Sequence, residues 1–305
     1  MDNKSHHSPF SPVLPRDRQV IHWERLYGGG KALALVTAAR QLDKLLVVLT
    51  ADINSSQRLL AELQFYGSFD SNNQVLYLPD WETLPYDLFS PYQDITSERL
   101  ATLVDLGRSQ CGIAVIPITT AMNRLLPREF LLRHSLSLGI GERLELESFR
   151  KQMQKNGYRF VSQVVEHGDI AVRGSLLDIY PMGSSNPFRV DLFDEEIDSI
   201  RTFDPETQRS LEKVENIRIL PASEIALDND SIARFRKNWR AQFEGNPNNV
   251  PVYRDVSDGI APAGIEYYLP LFYEETYSVF DYLPENSIVA VDEGVYESDL
   301  QQHTH

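Results

Sequence analysis

Apolar residues run along this chain in two different rhythms. Up to about residue 118, continuous apolar runs alternate with helical periods. LLVVLT (Leu45 to Thr50) and GIAVIPI (Gly112 to Ile118) show no polar alternation, the pattern of strands covered on both faces of a parallel sheet. Around them the spacing predicts a helix from Gly30 through Ala39, an amphipathic helix over Ser55 to Tyr66, a strand at VLYLPDW (Val75 to Trp81) and a helix at SERLATLVDL (Ser97 to Leu106). Strands and helices joined by short connections argue for an α/β domain.

From about His134 the rhythm shifts. ERLELESFRKQMQKNGY has a helical period that stops at Gly157, and short alternating strands follow in DIAVRGSLLDIYP, PFRVDLFDEE, IDSIRTFD and VENIRILPA. The reversals between them, PMGSSNP, DEE and DPETQ, carry the Gly, Pro, Asn and Asp chemistry of tight turns. Past Pro221 the chain is helical again at Ser231 to Phe243, and SIVAVDE (Ser287 to Glu293) reads as another continuous apolar strand rejoining the first sheet. The expected organisation is an α/β domain over 1–133, an inserted small β-rich α+β domain over 134–221, and 222–305 completing the first domain. ESDLQQHTH starts a helix without capping it, which predicts a fragment of a longer protein.

Composition narrows the function. The 305 residues carry a formal charge of -15, with 42% hydrophobic and 24% charged content. No apolar run approaches the roughly 18 residues of a membrane span, and the polar, proline-rich start is no secretory signal. The single Cys111 fits a reducing cytoplasm and is expected to be buried and inert. An acidic surface is poorly suited to grip nucleic acid directly, because phosphates require clustered Lys and Arg. Any link to DNA is expected through a partner.

The candidate chemistry lies in two places. RLYGGGKA, Arg25 to Ala32, follows the spacing of a phosphate-binding loop but is damaged at two positions. Gly30 and Lys31 survive, with Gly28 and Gly29 beside them. Arg25 stands where the first Gly makes the turn, and Ala32 stands where Ser or Thr would ligate Mg²⁺. Asp292 and Glu293 end an apolar strand as acids of a nucleotide site do, so an ATP-driven enzyme using Lys31, Asp292 and Glu293 is the rival reading. FDEE at 193–196 is a weaker imitation, since Arg189 and Asp191 interrupt the strand before it. In that strand Phe188, Val190 and Leu192 alternate with Arg189, Asp191 and Phe193, and arginine with an aromatic on one face is the make-up of interface hot spots. Trp81, Tyr86 and Phe89 read as core packing, and the histidines, including His6, His7, His303 and His305, show no metal-ligand spacing.

LPDWETLPYDLFSPYQDITSERL (Leu78 to Leu100), EHGDIAVRGSLLDIYPMGS, FRVDLFDEEIDSIRTFD and APAGIEYYLPLF, in that order, closely resemble the N-terminal region of the bacterial transcription-repair coupling factor family. The resemblance implies a module like the damage-recognition protein UvrB, with domain 1A, an inserted domain 2 and domain 1B, built on a vestigial P-loop NTPase-like fold. It implies recruitment of UvrA without catalysis, within an intact protein that uses ATP and Mg²⁺ in a separate motor region to release stalled RNA polymerase. RNA polymerase and DNA would be engaged only through regions outside this chain, and another domain of the intact protein would mask the UvrA surface. In the family that surface includes an arginine in a turn, an arginine in a strand and that strand's last phenylalanine, which fall here on Arg173, Arg189 and Phe193; Arg201 is a neighbour by geometry. UvrB's long aromatic hairpin has no counterpart between Asp94 and Ile113, so this chain is not expected to read lesions itself.

Overall fold

The two continuous apolar runs lie side by side in a parallel sheet. The computed structural model describes residues 8–16, 19–24, 26–67, 74–84 and 89–295, and strands and helices are numbered along the chain. β1 (Leu45–Thr50), β2 (Val75–Tyr77) and β3 (Gly112–Pro117) are joined by the late strand β12 (Ile288–Val291) in the order β12-β1-β3-β2, every neighbouring pair parallel. All six residues of β1 and of β3 are buried, as their lack of alternation requires. On one face Leu46 and Val48 of β1 and Ile113 and Val115 of β3 pack with α1 (Gly30–Gln41) through Ala32, Leu35, Val36 and Ala39 and with α2 (Ile53–Tyr66) through Leu59 and Leu63. Asp52 caps α2, accepting from the Ser55 amide at 2.7 Å, one of the orphan donors that open any helix. Gly112 has φ +111, and a Cβ there would fall 2.5 Å from the Gln74 carbonyl oxygen, so only glycine lets β3 begin this close to the residue before β2.

Two expectations are corrected in this sheet. β2 ends at Tyr77 rather than Trp81. Leu78 still donates to the Val115 carbonyl, and Pro79, with no amide hydrogen, stops the ladder. β12 rejoins the sheet as expected, but as an edge strand: Val289 and Val291 are each 43% exposed while Ile288 and Ala290 face the core.

The described residues divide into two compact units, one drawn from 1–80, 105–123 and 280–305 and the other from 81–104 and 124–279. Helix α3 (Gln93–Leu106) starts four residues earlier than the sequence pattern suggests, followed later by α4 (Ile118–Met122) and α5 (Arg128–His134). Cys111 is only partly buried.

The second unit holds the β-rich part. β4 (Leu136–Gly139) precedes α6 (Leu146–Lys155), whose Phe149 and Met153 are buried one turn apart. β5 (Arg159–Phe160), β6 (Asp169–Arg173), β7 (Leu176–Ile179), β8 (Phe188–Phe193), β9 (Glu196–Phe203) and β10 (Ser210–Val214) form a six-stranded sheet, antiparallel except for the parallel pair of β5 with β6. β11 (Asn216–Ile219) pairs with β4 in a separate two-stranded sheet. β5 and β10 are not predicted by the apolar pattern, one being two residues long and the other, SLEKV, almost wholly exposed. α7 (Asn229–Gln242) and α8 (Pro251–Ser257) carry Phe235, Trp239 and Tyr253, which cluster with Phe272 from a 3₁₀ segment over Ile265–Leu271 and the residue after it. α9 (Val279–Tyr282) is the last helix among the described residues.

Candidate functional site

Strand alternation gives the six-stranded sheet two unlike faces. Ile170, Leu177, Ile179, Val190, Leu192, Ile197 and Ile200 are buried on one. The opposite face carries charge. Register places Lys213 of β10 opposite Arg201 of β9, Arg201 opposite Arg189 of β8, and Arg189 opposite Asp178 of β7. One step along, Asp191 lies between Ser199 and Leu176, and Leu176 lies opposite Arg173. At one end, Phe203 and Ala171 pack under Val164 from a covering loop. At the other, Phe193 stands 76% exposed at the end of β8.

Asp178 organises this face. Its side chain is 1% exposed, and it accepts from Arg189 through Nε to Oδ1 at 2.7 Å and Nη2 to Oδ2 at 2.9 Å. Arg173 donates to the same carboxylate from Nη2. Arg189 Nη1 also donates to the Gln208 carbonyl and the Ser210 hydroxyl, and its guanidinium lies 4.8 Å over the Phe203 ring. Hydrogen bonding to Asp178 holds the Arg189 guanidinium above even its ordinary range. Arg201 is 3.8 Å from Asp191, which also accepts from Ser199.

Of the residues singled out from sequence, the structure brings Arg173, Arg189 and Arg201 onto one face, with Phe193 at its open end. They are not equivalent. Arg173 has a half-exposed side chain, whereas that of Arg189 is 16% exposed, so Arg189 belongs as much to the interior as to the surface. Sequence reasoning missed Asp178 and Lys213. A signal for the first existed: a lone carboxylate inside the apolar run LLDI, where a charge is kept only if paired. Lys213 sits in a strand without apolar pattern and is placed only by register.

The phosphate-loop residues lie in the other unit. Arg25 is outside the described residues, as are Tyr86, His6, His7, His303, His305 and the final ESDLQQHTH helix start. Among the described residues no strand leads into the loop, although a P-loop joins a strand to its helix. Gly28 has φ +54, and Gly30 opens α1. Over Gly29 lies the Tyr66 ring, whose hydroxyl would be 2.5 Å from an added Cβ. Lys31 Nζ donates to Asp292 Oδ2 at 2.7 Å. Ala32 is fully buried within the apolar cluster. Asp292 Oδ1 accepts from the Glu293 amide, and Glu293 is exposed. Trp81 is buried, in keeping with a core role, but Phe89 is 72% exposed and does not share it. No cluster of three or more His, Cys, Asp or Glu able to hold a metal occurs among the described residues, and no helix among them is long and apolar enough to cross a membrane.

Residues 136–225 match the UvrB interaction domain family. The chain is 44% identical over 282 residues to the transcription-repair-coupling factor of Haemophilus influenzae, covering 92% of this chain and 24% of that protein. It is 42% identical over 292 residues to that of Escherichia coli, covering 95% and 25%, and 26% identical over 282 residues to that of Bacillus subtilis, covering 88% and 24%. The chain thus spans about a quarter of the length of these curated relatives.

Proposed function

The chain matches the N-terminal, UvrB-like region of the transcription-repair-coupling factors, and from that premise we propose that it is a non-catalytic module that recruits UvrA in transcription-coupled excision repair. The docking face is the charged side of the six-stranded sheet, with Arg173, Arg189, Phe193 and Arg201 as its contact residues. The observation that carries this is Phe193, largely exposed on the same sheet face as arginines already ordered by a buried acid. An exposed aromatic with oriented arginines is the composition of a binding hot spot. The family match over 136–225 includes all four positions.

The absence of catalysis rests on the loop. The chain carries the remains of a P-loop NTPase-like fold whose residues no longer fit a magnesium nucleotide. Lys31 is engaged by Asp292, Tyr66 lies over Gly29, and the position of the metal-ligating hydroxyl is a buried alanine. ATP-driven translocation, release of stalled RNA polymerase, and a domain that masks the docking face belong to segments outside these 305 residues.

Calorimetric titration of the 305-residue chain with UvrA tests the reading. Arg173→Ala and Phe193→Ala should each weaken binding by about thirtyfold, since removing a hot-spot group costs about 2 kcal/mol. Binding within twofold of wild type by both variants would put the docking face elsewhere.

A further inference from the structure

We propose that Asp178 is the positioning residue of the docking face: it never meets the partner, but it fixes where Arg173 and Arg189 present their remaining N–H groups. This rests on the sheet face being the UvrA surface. At 1% exposure the Asp178 carboxylate is out of a partner's reach, yet it receives three N–H groups from two arginines on two different strands.

Donor counting shows what the arrangement leaves over. A guanidinium side chain has five N–H donors. Arg189 commits one from Nε and one from Nη2 to Asp178, while Nη1 donates to the Gln208 carbonyl and the Ser210 hydroxyl. Its one remaining donor is on Nη2. Arg173 commits a single N–H from Nη2 to Asp178, and its side chain stays half exposed. The face therefore offers a partner mainly Arg173, with Arg189 locked as its support. A long cationic side chain ordered before binding does not lose its rotamer freedom on binding, and this is where a preorganised surface gains affinity. Asp178 also offsets one of the two charges, so the pair contributes geometry more than net charge.

That division gives opposite signs for two roles. Asp178→Asn makes the face more cationic by one unit. If the arginines acted by charge alone on an acidic partner surface, binding would tighten or stay the same. If Asp178 positions them, binding weakens. We expect Asp178→Asn in the 305-residue chain to lower UvrA affinity by about tenfold in calorimetry. Arg173→Ala should then cost much less in the Asn background than in the wild type, because the arginine is no longer held. Asp178→Glu keeps the charge and the pairing but moves the carboxylate by one methylene, and it too should weaken binding several-fold; it serves if the Asn variant does not fold. A purely structural role would lower the melting temperature while leaving the two penalties additive. The proposal is overturned if a folded Asp178 variant binds UvrA within twofold of wild type, or if the penalties add, while Arg173→Ala and Phe193→Ala remain weak. Wild-type affinity in those two alanine variants would instead remove the docking face itself, and this inference with it.

Discussion

Arg173 and Arg189 share one carboxylate, but truncating them should have different consequences for the fold. Arg189→Ala removes two hydrogen bonds to a buried acid and a guanidinium stacked on Phe203. Since Arg173 still pairs with Asp178, the expected loss is about 1–3 kcal/mol in urea unfolding, the cost of an under-satisfied buried group. Arg173→Ala should cost about 1 kcal/mol or less, because its side chain is half solvated and Arg189 continues to satisfy the acid. Equal stability of the two variants would contradict this ordering. Alternation puts Arg189 and Phe193 on one strand face and the family resemblance adds Arg173, but the difference between the two arginines depends on Asp178, which cross-strand register sets on the strand between them. Glu266 offers a second contrast. Burial and the nearby Glu224 charge raise its carboxyl above the ordinary range, though Ser90 donates to it at 3.1 Å. A raised folded-state value means a stability contribution fully present below the unfolded value and lost as pH rises through the folded one. Glu266→Gln should therefore raise the neutral-pH melting temperature slightly and lose that advantage below about pH 4, the ordinary carboxylate range.

Elements were legible in proportion to how completely they are covered. β1 and β3 are buried along their whole length and announced themselves as unbroken apolar runs. β12 has the same kind of composition but lies at an edge, because composition alone does not distinguish a sheet's centre from its rim. β10 was invisible for the reverse reason, having no buried side to impose alternation. Its placement completes a cross-strand row, Lys213, Arg201, Arg189, and like charges directly opposite one another are unfavourable. Arg201→Ser relieves that repulsion but gives up the partly exposed 3.8 Å pair with Asp191, so the stability of the isolated chain should change by less than about 0.5 kcal/mol in thermal or urea unfolding while UvrA binding weakens. A variant that loses both stability and binding would show Arg201 to be structural. Within the same unit Arg99 and Glu224 form an ion pair with side chains 0% and 1% exposed, Nε to Oε1 at 2.7 Å, with the Trp81 indole donating to the same oxygen. This pair links α3 to the segment after β11. Glu224→Ala, which removes the buried carboxylate from this ion pair and from the Trp81 indole, should cost about 3–5 kcal/mol, visible as a large drop in urea midpoint.

At the scale of the whole molecule, charge distinguishes a face suited to docking a protein from one suited to nucleic acid. The sheet face groups Arg173, Arg189, Arg201 and Lys213, which out of context resembles a phosphate-binding patch. Asp178 and Asp191 lie among them within ion-pair reach of three of the four. Four cations less two acids leave about two uncompensated charges, in a chain whose net charge is -15. Each neutralised phosphate contributes a slope of about -0.9 in log affinity against log salt, so about two contacts predict a shallow dependence and weak binding. The net negative field adds long-range repulsion, strongest at low salt where screening is least. We therefore expect the 305-residue chain to show no saturable binding to a 30-base-pair duplex up to tens of micromolar near 0.15 M salt, and no preference for a lesion, measured by fluorescence anisotropy. A submicromolar, lesion-selective rise in anisotropy that collapses with salt along a slope of several units would mean that the face engages DNA itself. In that case Arg201→Ser and Lys213→Ser would each flatten the slope by about one unit, whereas on the protein-docking reading they alter UvrA affinity and leave the duplex titration flat.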